Sequence, residues 1–287
     1  ARDIAEASGR NFTIEYRRAV GGGCINDGYR LEGDGARYFA KLNSAERVEM
    51  FAAEAEGLAE MASAQAVRVP EPLCWGVAGK QSFVVMEYID FGGRAAVAAG
   101  RLGEQLAAMH RKTSIQFGWH RDNTIGSTLQ INAASDNWAV FWRDQRLAFQ
   151  LQLLVQKGVG GSLQRKGERL LDDLPAFFDG YTPVPSLLHG DLWGGNQAVA
   201  ANGEPVIFDP AVYYGDRETD VAMTELFGGF PAAFYEAYDA AWPLDAGYAV
   251  RKTLYNLYHI LNHANLFGGG YARQAEGMMD RLLAEIR

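Results

Sequence analysis

One stretch of this 287-residue chain, His189 to Asp209, restricts the fold more than any other. It opens as Leu188-His189-Gly190-Asp191-Leu192-Trp193-Gly194-Gly195-Asn196 and closes as Val206-Ile207-Phe208-Asp209-Pro210. In between, Gln197 to Ala200 alternates, Asn202-Gly203 is a tight-turn pair, and Pro205 to Phe208 is a second apolar run. That pattern predicts a short β-hairpin. Such a hairpin returns Asp209 close to Asn196, where both side chains could hold magnesium against nucleotide phosphates.

An Asp followed five positions later by an Asn matches the catalytic loop of kinases. There the Asp orients the substrate hydroxyl and the Asn holds a metal ion. A lone His-Gly-Asp triplet is common by chance, and a buried structural Asp is the plain alternative. The spacing, the hairpin and the Asp ending its second strand together point to phosphoryl transfer.

The first ninety residues supply what such a site needs. Phe12 to Val20 reads as a strand, and Gly28 to Glu32 as another. Gly21-Gly22-Gly23-Cys24-Ile25-Asn26 joins them, and its glycines would let backbone amides approach phosphate oxygens. The loop departs from the kinase G-x-G-x-x-G by carrying Asn26 where the last Gly should stand. A third strand, Arg37 to Leu42, holds Lys41 between apolar neighbours. Over Ala45 to Met61, the residues Val48, Phe51, Ala55, Leu58 and Met61 recur at helical spacing. Glu54 flanks that stripe and can face inward to pair with Lys41, as kinases pair a strand Lys with a helix Glu over the α- and β-phosphates. Glu49, Glu56 and Glu60 are expected to be solvated.

Cys74 to Val77 and Ser82 to Tyr88 read as an antiparallel pair, and the backbone of Glu87, Tyr88 and Ile89 is the expected seat of the adenine edge. The chain should therefore divide into an N-terminal lobe, 1–89, and a C-terminal lobe, 90–287. Helices are expected at Ala95 to His110, Asp136 to Lys157, Leu163 to Phe178, Tyr248 to Phe267 and Ala272 to Arg287. Phe117 to Gly126 is too polar and Gly-punctuated for a regular element, and predicts a functional loop or a packed connector. The acidic run Asp216, Glu218 and Asp220 either caps the helix after it or faces an amine-bearing substrate near Asp191.

Composition sets the outer limits. A net charge of −8 argues against a nucleic-acid partner, which would need clustered Lys and Arg. Two cysteines, Cys24 and Cys74, fit a reducing cytoplasm, and without paired Cys spacing a zinc site is not expected. No run of eighteen apolar residues predicts a membrane span. The first residues also lack the basic-then-apolar pattern of a secretory signal.

The catalytic-loop residues His189 to Asn196, with Trp after the Asp-Leu, resemble those of the fructosamine-3-kinase (ketosamine-3-kinase) family. Similar stretches are Gly21 to Asn26, Asn123-Thr124-Ile125-Gly126-Ser127, Phe141 to Leu147, Gly215 to Asp220 with Leu226 to Phe230, and Tyr258 to His263. The resemblance spans roughly residues 5 to 285. It implies an α+β, bilobal, protein-kinase-like fold with a small antiparallel-β lobe and a larger helical lobe. It also implies an enzyme using ATP and Mg2+ to phosphorylate the 3-hydroxyl of sugar adducts on amines, which then release the amine. By position, Asp191 would be the base, Asn196 and Asp209 the metal ligands, and Lys41 with Glu54 the phosphate-positioning pair. Trp193 is a candidate platform for the sugar, or else packs under the loop. The sugar, and whether the amine is free or protein-bound, stay open.

Kinases of other amine-bearing molecules, such as aminoglycosides or choline, are the nearest alternative. A nucleotide-binding regulator without catalysis is the other. Gly190 stands where protein kinases often have Arg, and Pro210 follows the metal Asp, so activity without activation-loop phosphorylation is expected. Cys24 carries a separate expectation: a thiolate stabilised by the loop amides and Lys41, whose oxidation would block the nucleotide.

Overall fold

The computed structural model describes residues 1–21 and 25–286. Its first ninety residues form one antiparallel sheet of five strands, β1 (Tyr16–Val20), β2 (Asp27–Gly33), β3 (Ala36–Ser44), β4 (Pro72–Ala78) and β5 (Gln81–Glu87), in the order β1-β2-β3-β5-β4. A short helix, α1 (Arg2–Ser8), precedes the sheet, and α2 (Val48–Ala62) crosses between β3 and β4 after a single 3-10 turn.

The two-residue period of a strand decides which side chains meet. In β5, Phe83 and Val85 point to an outer cluster with Ile4, Phe12, Leu31 and Ala40, while Val84 and Met86 point inward to Phe51, Leu58 and Met61 of α2. In β3 the same alternation sends Ala40 outward, and Lys41, paired in register with Val84, to the α2 side.

After β5 the chain runs to α3 (Ala95–His110). The link is laced to the later hairpin: Ala201 N–H donates to the Asp90 carbonyl, and the Gly92 and Gly93 amides donate to Val199. The remainder is mostly helical. A small hairpin, β6 (Asn123–Ile125) and β7 (Thr128–Gln130), precedes α4 (Trp138–Phe141), which continues through a π-helical stretch, Trp142–Ala148, into α5 (Phe149–Gln156). The single helix expected over Asp136 to Lys157 is thus interrupted by wider turns. Arg146, wholly buried, sits on those turns.

Then follow α6 (Ser162–Asp173), β8 (Ser186–Leu188), β9 (Gln197–Val199), β10 (Pro205–Ile207), β11 (Tyr213–Gly215), α7 (Glu218–Leu226), α8 (Ala232–Ala241), α9 (Tyr248–Phe267) and α10 (Tyr271–Glu285). β9 and β10 form the expected hairpin, turning at Gly203 with φ 85°. β8 pairs with β11, so the two flanks of the catalytic-loop region are tied together. One continuous apolar cluster joins α2 and the inner face of the sheet to the C-terminal helices.

Candidate active site

The loop between β8 and β9 owes its shape to a buried carboxylate. Asp220, on the first turn of α7, accepts the His189 N–H at 2.7 Å, the Gly190 N–H at 2.8 Å and a hydrogen bond from His110 Nε2 at 3.1 Å. Burial alone would raise its pKa. His110 and the backbone donors outweigh that and hold it below the usual carboxylate range. Gly190 adopts φ 81°, and a Cβ there would lie 2.1 Å from the Ala211 carbonyl oxygen. The absence of an Arg at this position is therefore also steric, since only glycine fits between the loop and the segment after Asp209.

His189 bridges the same two segments. Its Nδ1 accepts the Asp191 N–H at 3.2 Å, so Nε2 carries the proton and donates to the Phe208 carbonyl at 2.9 Å. Burial pushes its pKa down, in keeping with this neutral ring. Asp191 is thereby fixed from behind. Asn196 Nδ2 holds it from the side, donating to the Asp191 carbonyl at 2.9 Å and to its carboxylate at 3.3 Å. Burial, with Asp209 nearby, pushes the Asp191 carboxyl well above its ordinary value, against the pull of Asn196.

The hairpin returns Asp209 next to Asn196, where the Phe208 N–H donates to the Asn196 carbonyl at 3.1 Å. Asp209 has φ 58°, a left-handed backbone rare outside glycine, and aims its carboxylate across the cleft at Lys41. Lys41 Nζ lies 2.5 Å from Glu54 Oε1 and 2.5 Å from Asp209 Oδ1. Burial disfavours the ammonium, but the two carboxylates outweigh it and keep Lys41 charged. One lysine thus joins the sheet, α2 and the end of β10 in the cleft between the lobes.

Of the glycine-loop residues, Gly22, Gly23 and Cys24 lie outside the described residues, and with them the redox reading of Cys24. Gly21, Ile25 and Asn26 flank them. Asn43 at the end of β3 pins the far arm, donating to the Ile25 carbonyl at 3.1 Å and Asn26 Oδ1 at 2.7 Å. The Ile25 side chain reaches the C-terminal lobe, where Ile25 and Leu266 flank Gly126 so closely that a Cβ there would meet them at 3.1 and 3.0 Å. At the other end of the cleft, Glu87 donates its N–H to the Glu71 carbonyl and its side chain pairs with Arg68. Tyr88 and Ile89 continue past the strand. Trp193 is 39% exposed and edge-on to Phe227, which packs in turn on His263.

Two expectations are corrected. Asp216 and Glu218 do not face a substrate, because both are buried. Asp216 accepts from Tyr181, Tyr255 and the Glu218 N–H, while Glu218 receives Arg251 through two nitrogens at 2.8 and 3.0 Å. Asp216 thus caps the start of α7, the other half of the sequence reading. Glu49 is solvated as expected, at 76% exposure, though it also meets Arg121, whereas Glu56 and Glu60 are partly covered by C-terminal-lobe side chains: Arg121 and His120 for Glu56, Lys112 and Tyr214 for Glu60. Sequence reading also missed Asp220 as the anchor of the loop. Its partners stand about thirty residues upstream, where no helical or strand period points.

A two-lobed molecule with this loop, hairpin and lysine–glutamate pair in its cleft is a kinase, a phosphotransferase acting on a hydroxyl group. The sequence model of the fructosamine kinase family matches residues 1–285, and the chain belongs to that family of ketosamine kinases. It is 49% identical over 288 residues, 99% of this chain and 95% of the other, to a Synechocystis sp. protein assigned as a ketoamine kinase. It is 43% identical, over all of this chain and 88% of the other, to the chloroplastic protein-ribulosamine 3-kinase of Arabidopsis thaliana. A solved structure from Haemophilus somnus, assigned as a fructosamine-3-kinase, superposes with a TM-score of 0.90 at 27% identity, covering 98% of this chain and 96% of that one. An aminoglycoside phosphotransferase shares the fold at a TM-score of 0.66 and 17% identity. Among the described residues no helix is long and apolar enough to cross a membrane.

Proposed function

We propose that the chain transfers the γ-phosphoryl group of ATP to the 3-hydroxyl of a ketosamine, an adduct of a reducing sugar on a free or protein-bound amine, and so starts release of the amine. The observation that carries the mechanism is the convergence of Asp191, Asn196, Asp209 and Lys41 in one cleft. Asp191 takes or orients the hydroxyl proton. Lys41, held by Glu54, binds the α- and β-phosphates. Gly21, Ile25 and Asn26 border the triphosphate, and the backbone of Glu87 to Ile89 takes the adenine edge.

Among the described residues no three His, Cys, Asp or Glu side chains form a metal cluster by themselves. Asn196 and Asp209 fit Mg2+ nonetheless, because that ion takes few protein oxygens and completes its shell with phosphates and water. The Asp209 side chain is 42% exposed, so its carboxylate is accessible to an ion as well as to Lys41. When bound, the ion neutralises β- and γ-phosphate charge. Trp193 offers the sugar an apolar face beside the base. The ribulosamine and ketoamine names of the relatives support this acceptor over an aminoglycoside or choline. Two cysteines in 287 residues suit a reducing compartment, and we place the enzyme in the cytoplasm.

Phosphorus NMR on ATP, magnesium and ribuloselysine or fructoselysine tests the reading. A phosphate monoester resonance should grow with that of ADP. Asp191→Asn should slow its growth about a thousandfold, within the range for losing a positioned base, while ATP binding by calorimetry persists. Near-normal turnover in that variant would remove Asp191 from the mechanism.

A further inference from the structure

The polar stretch Phe117 to Gly126 has no part in the mechanism so far, yet it lies against the helix that carries Glu54. Arg121 donates from Nη2 to Glu49 Oε2 and from Nη1 to Glu56 Oε1, both at 2.6 Å, and His120 Nε2 lies 2.9 Å from Glu56 Oε2. Glu49 and Glu56 are two helical turns apart, so a single planar guanidinium spans one face of α2. Further along that helix, Gly57 packs so close to Val212 that a Cβ would lie 3.0 Å from it. Glu60 then receives Lys112 at 2.6 Å and the Tyr214 hydroxyl at 2.7 Å. The side of α2 away from the sheet is thus fastened at both ends.

Arg121 itself rests on a rigid base. Its carbonyl accepts Asn132 Nδ2 at 3.1 Å, and Asn132 Oδ1 accepts from the buried Arg146 at 2.8 Å. Asn123, from the same segment, and Gln130, its partner across the β6–β7 hairpin, donate to the Val212 and Ala211 carbonyls at 2.8 and 3.0 Å, just beyond Asp209. One stretch of chain therefore touches both α2 and the segment that carries the metal-binding carboxylate.

We propose that Arg121 is a positioning residue: by holding Glu49 and Glu56 it fixes α2 against the C-terminal lobe, so that Glu54 stays on Lys41 without a phosphorylated loop. The proposal rests on the phosphate-binding role given to Lys41 and Glu54 above. Arg121 touches neither reacting group. Its ion pairs are partly solvated, so their effect falls on the alignment of α2 rather than on melting.

A double-mutant cycle on the full chain separates the two readings. Arg121→Ala should raise the KM for ATP about tenfold, leave the ketosamine KM unchanged and shift melting by under about 3 °C. Arg121→Lys, which reaches one glutamate, should recover part of the loss. In a Glu54→Gln background, Arg121→Ala should change the ATP KM less than about twofold, because the contact it serves is already gone. Unchanged ATP kinetics in Arg121→Ala, or equal losses in both backgrounds, overturn the proposal. A silent Glu54→Gln removes the Lys41–Glu54 role and the proposal with it, whereas a damaged Glu54→Gln beside a silent Arg121→Ala removes the proposal alone. Should Arg121→Ala fail to fold, Glu56→Gln puts the same question from the other side of the contact, with the same outcomes deciding.

Discussion

Two anchors hold the two halves of this active site, and they are built from opposite materials. Asp220 sits inside the C-terminal lobe, 1% exposed, and orders the catalytic loop through backbone N–H groups that have no water to turn to. Arg121 sits at the seam between the lobes and orders α2 through carboxylates that water reaches. A buried acceptor cannot be lost without stranding its donors, so loop geometry and folding stability are one quantity there. A solvated clasp carries little stability, so it can set the geometry around Glu54 and Lys41 almost independently of folding. The half of the site bearing Asp191, Asn196 and Asp209 is thereby held from inside the C-terminal lobe, and the half bearing Lys41, though it shares the apolar core, is also held by a solvated contact at the seam.

The largest effect should follow from emptying the buried anchor. Asp220→Ala leaves the His189 and Gly190 amides and the His110 ring without their acceptor. We expect a loss of about 3–5 kcal/mol in stability, the usual range for breaking a buried charged contact, and turnover down by about a thousandfold or more. Urea unfolding and steady-state rates measure the two. An Asp220→Ala enzyme that melts like wild type would erase the contrast with Arg121.

The legible part of the site is the part whose signal is local. Asp191, Asn196 and Asp209 could be placed because a five-residue spacing and a hairpin turn bring them together within twenty residues. Lys41 and Glu54 could be placed because strand and helix periods each fix one facing. The family resemblance then supplied the two-lobed fold and the substrate class, which periodicity alone does not reach. What could not be read depends on contacts between distant segments. Glu56 and Glu60 look solvated on a helical wheel because the wheel shows the sheet side of α2 and is blind to a second lobe lying on the other. Asp216 and Glu218 look like a surface acidic run until Tyr181, from the stretch before β8, and Arg251 and Tyr255, both on α9, close over them. The π-helical turns around Arg146 leave no trace in an otherwise ordinary amphipathic pattern.

A smaller effect tests whether the order beneath the base comes from close backbone packing as well as from Asp220. Gly190→Ala must hold φ near 81° and displace the Ala211 carbonyl, which is backbone and cannot swing aside. We expect a loss of about 2–3 kcal/mol, with lower turnover because Asp191 adjoins Gly190 and Asp209 lies two residues before Ala211. Gly194, later in the same loop, has open space where a Cβ would go, so Gly194→Ala should leave melting unchanged. Equal melting of the two variants would mean that the close approach of Gly190 to Ala211 relaxes freely.

Acid should separate the regions most gently. His259, buried in α9 of the C-terminal lobe, is held neutral, its pKa pushed down to about 3 mainly by burial and further by His263. An unfolded chain protonates this ring below about pH 6.5 while the folded chain does not. Its contribution to stability is therefore complete above about pH 6.5 and lost progressively as pH falls toward 3. Between pH 6.5 and 5 that loss is about 2 kcal/mol, from 1.36 kcal/mol per unit over one and a half units. His263, on the same helix, is shifted the same way by burial, whereas the depressed carboxyl of Asp220 adds its loss only below about pH 4. Between pH 6.5 and 5 the raised carboxyls of Asp191 and Glu218 act the other way in both proteins, so the reading is the difference: unfolding free energy measured against pH should fall more steeply in wild type than in His259→Gln, which cannot titrate. An identical slope in both proteins would show that the ring takes up its proton without unfolding, and that the core beneath the catalytic loop is more open to water than its packing indicates.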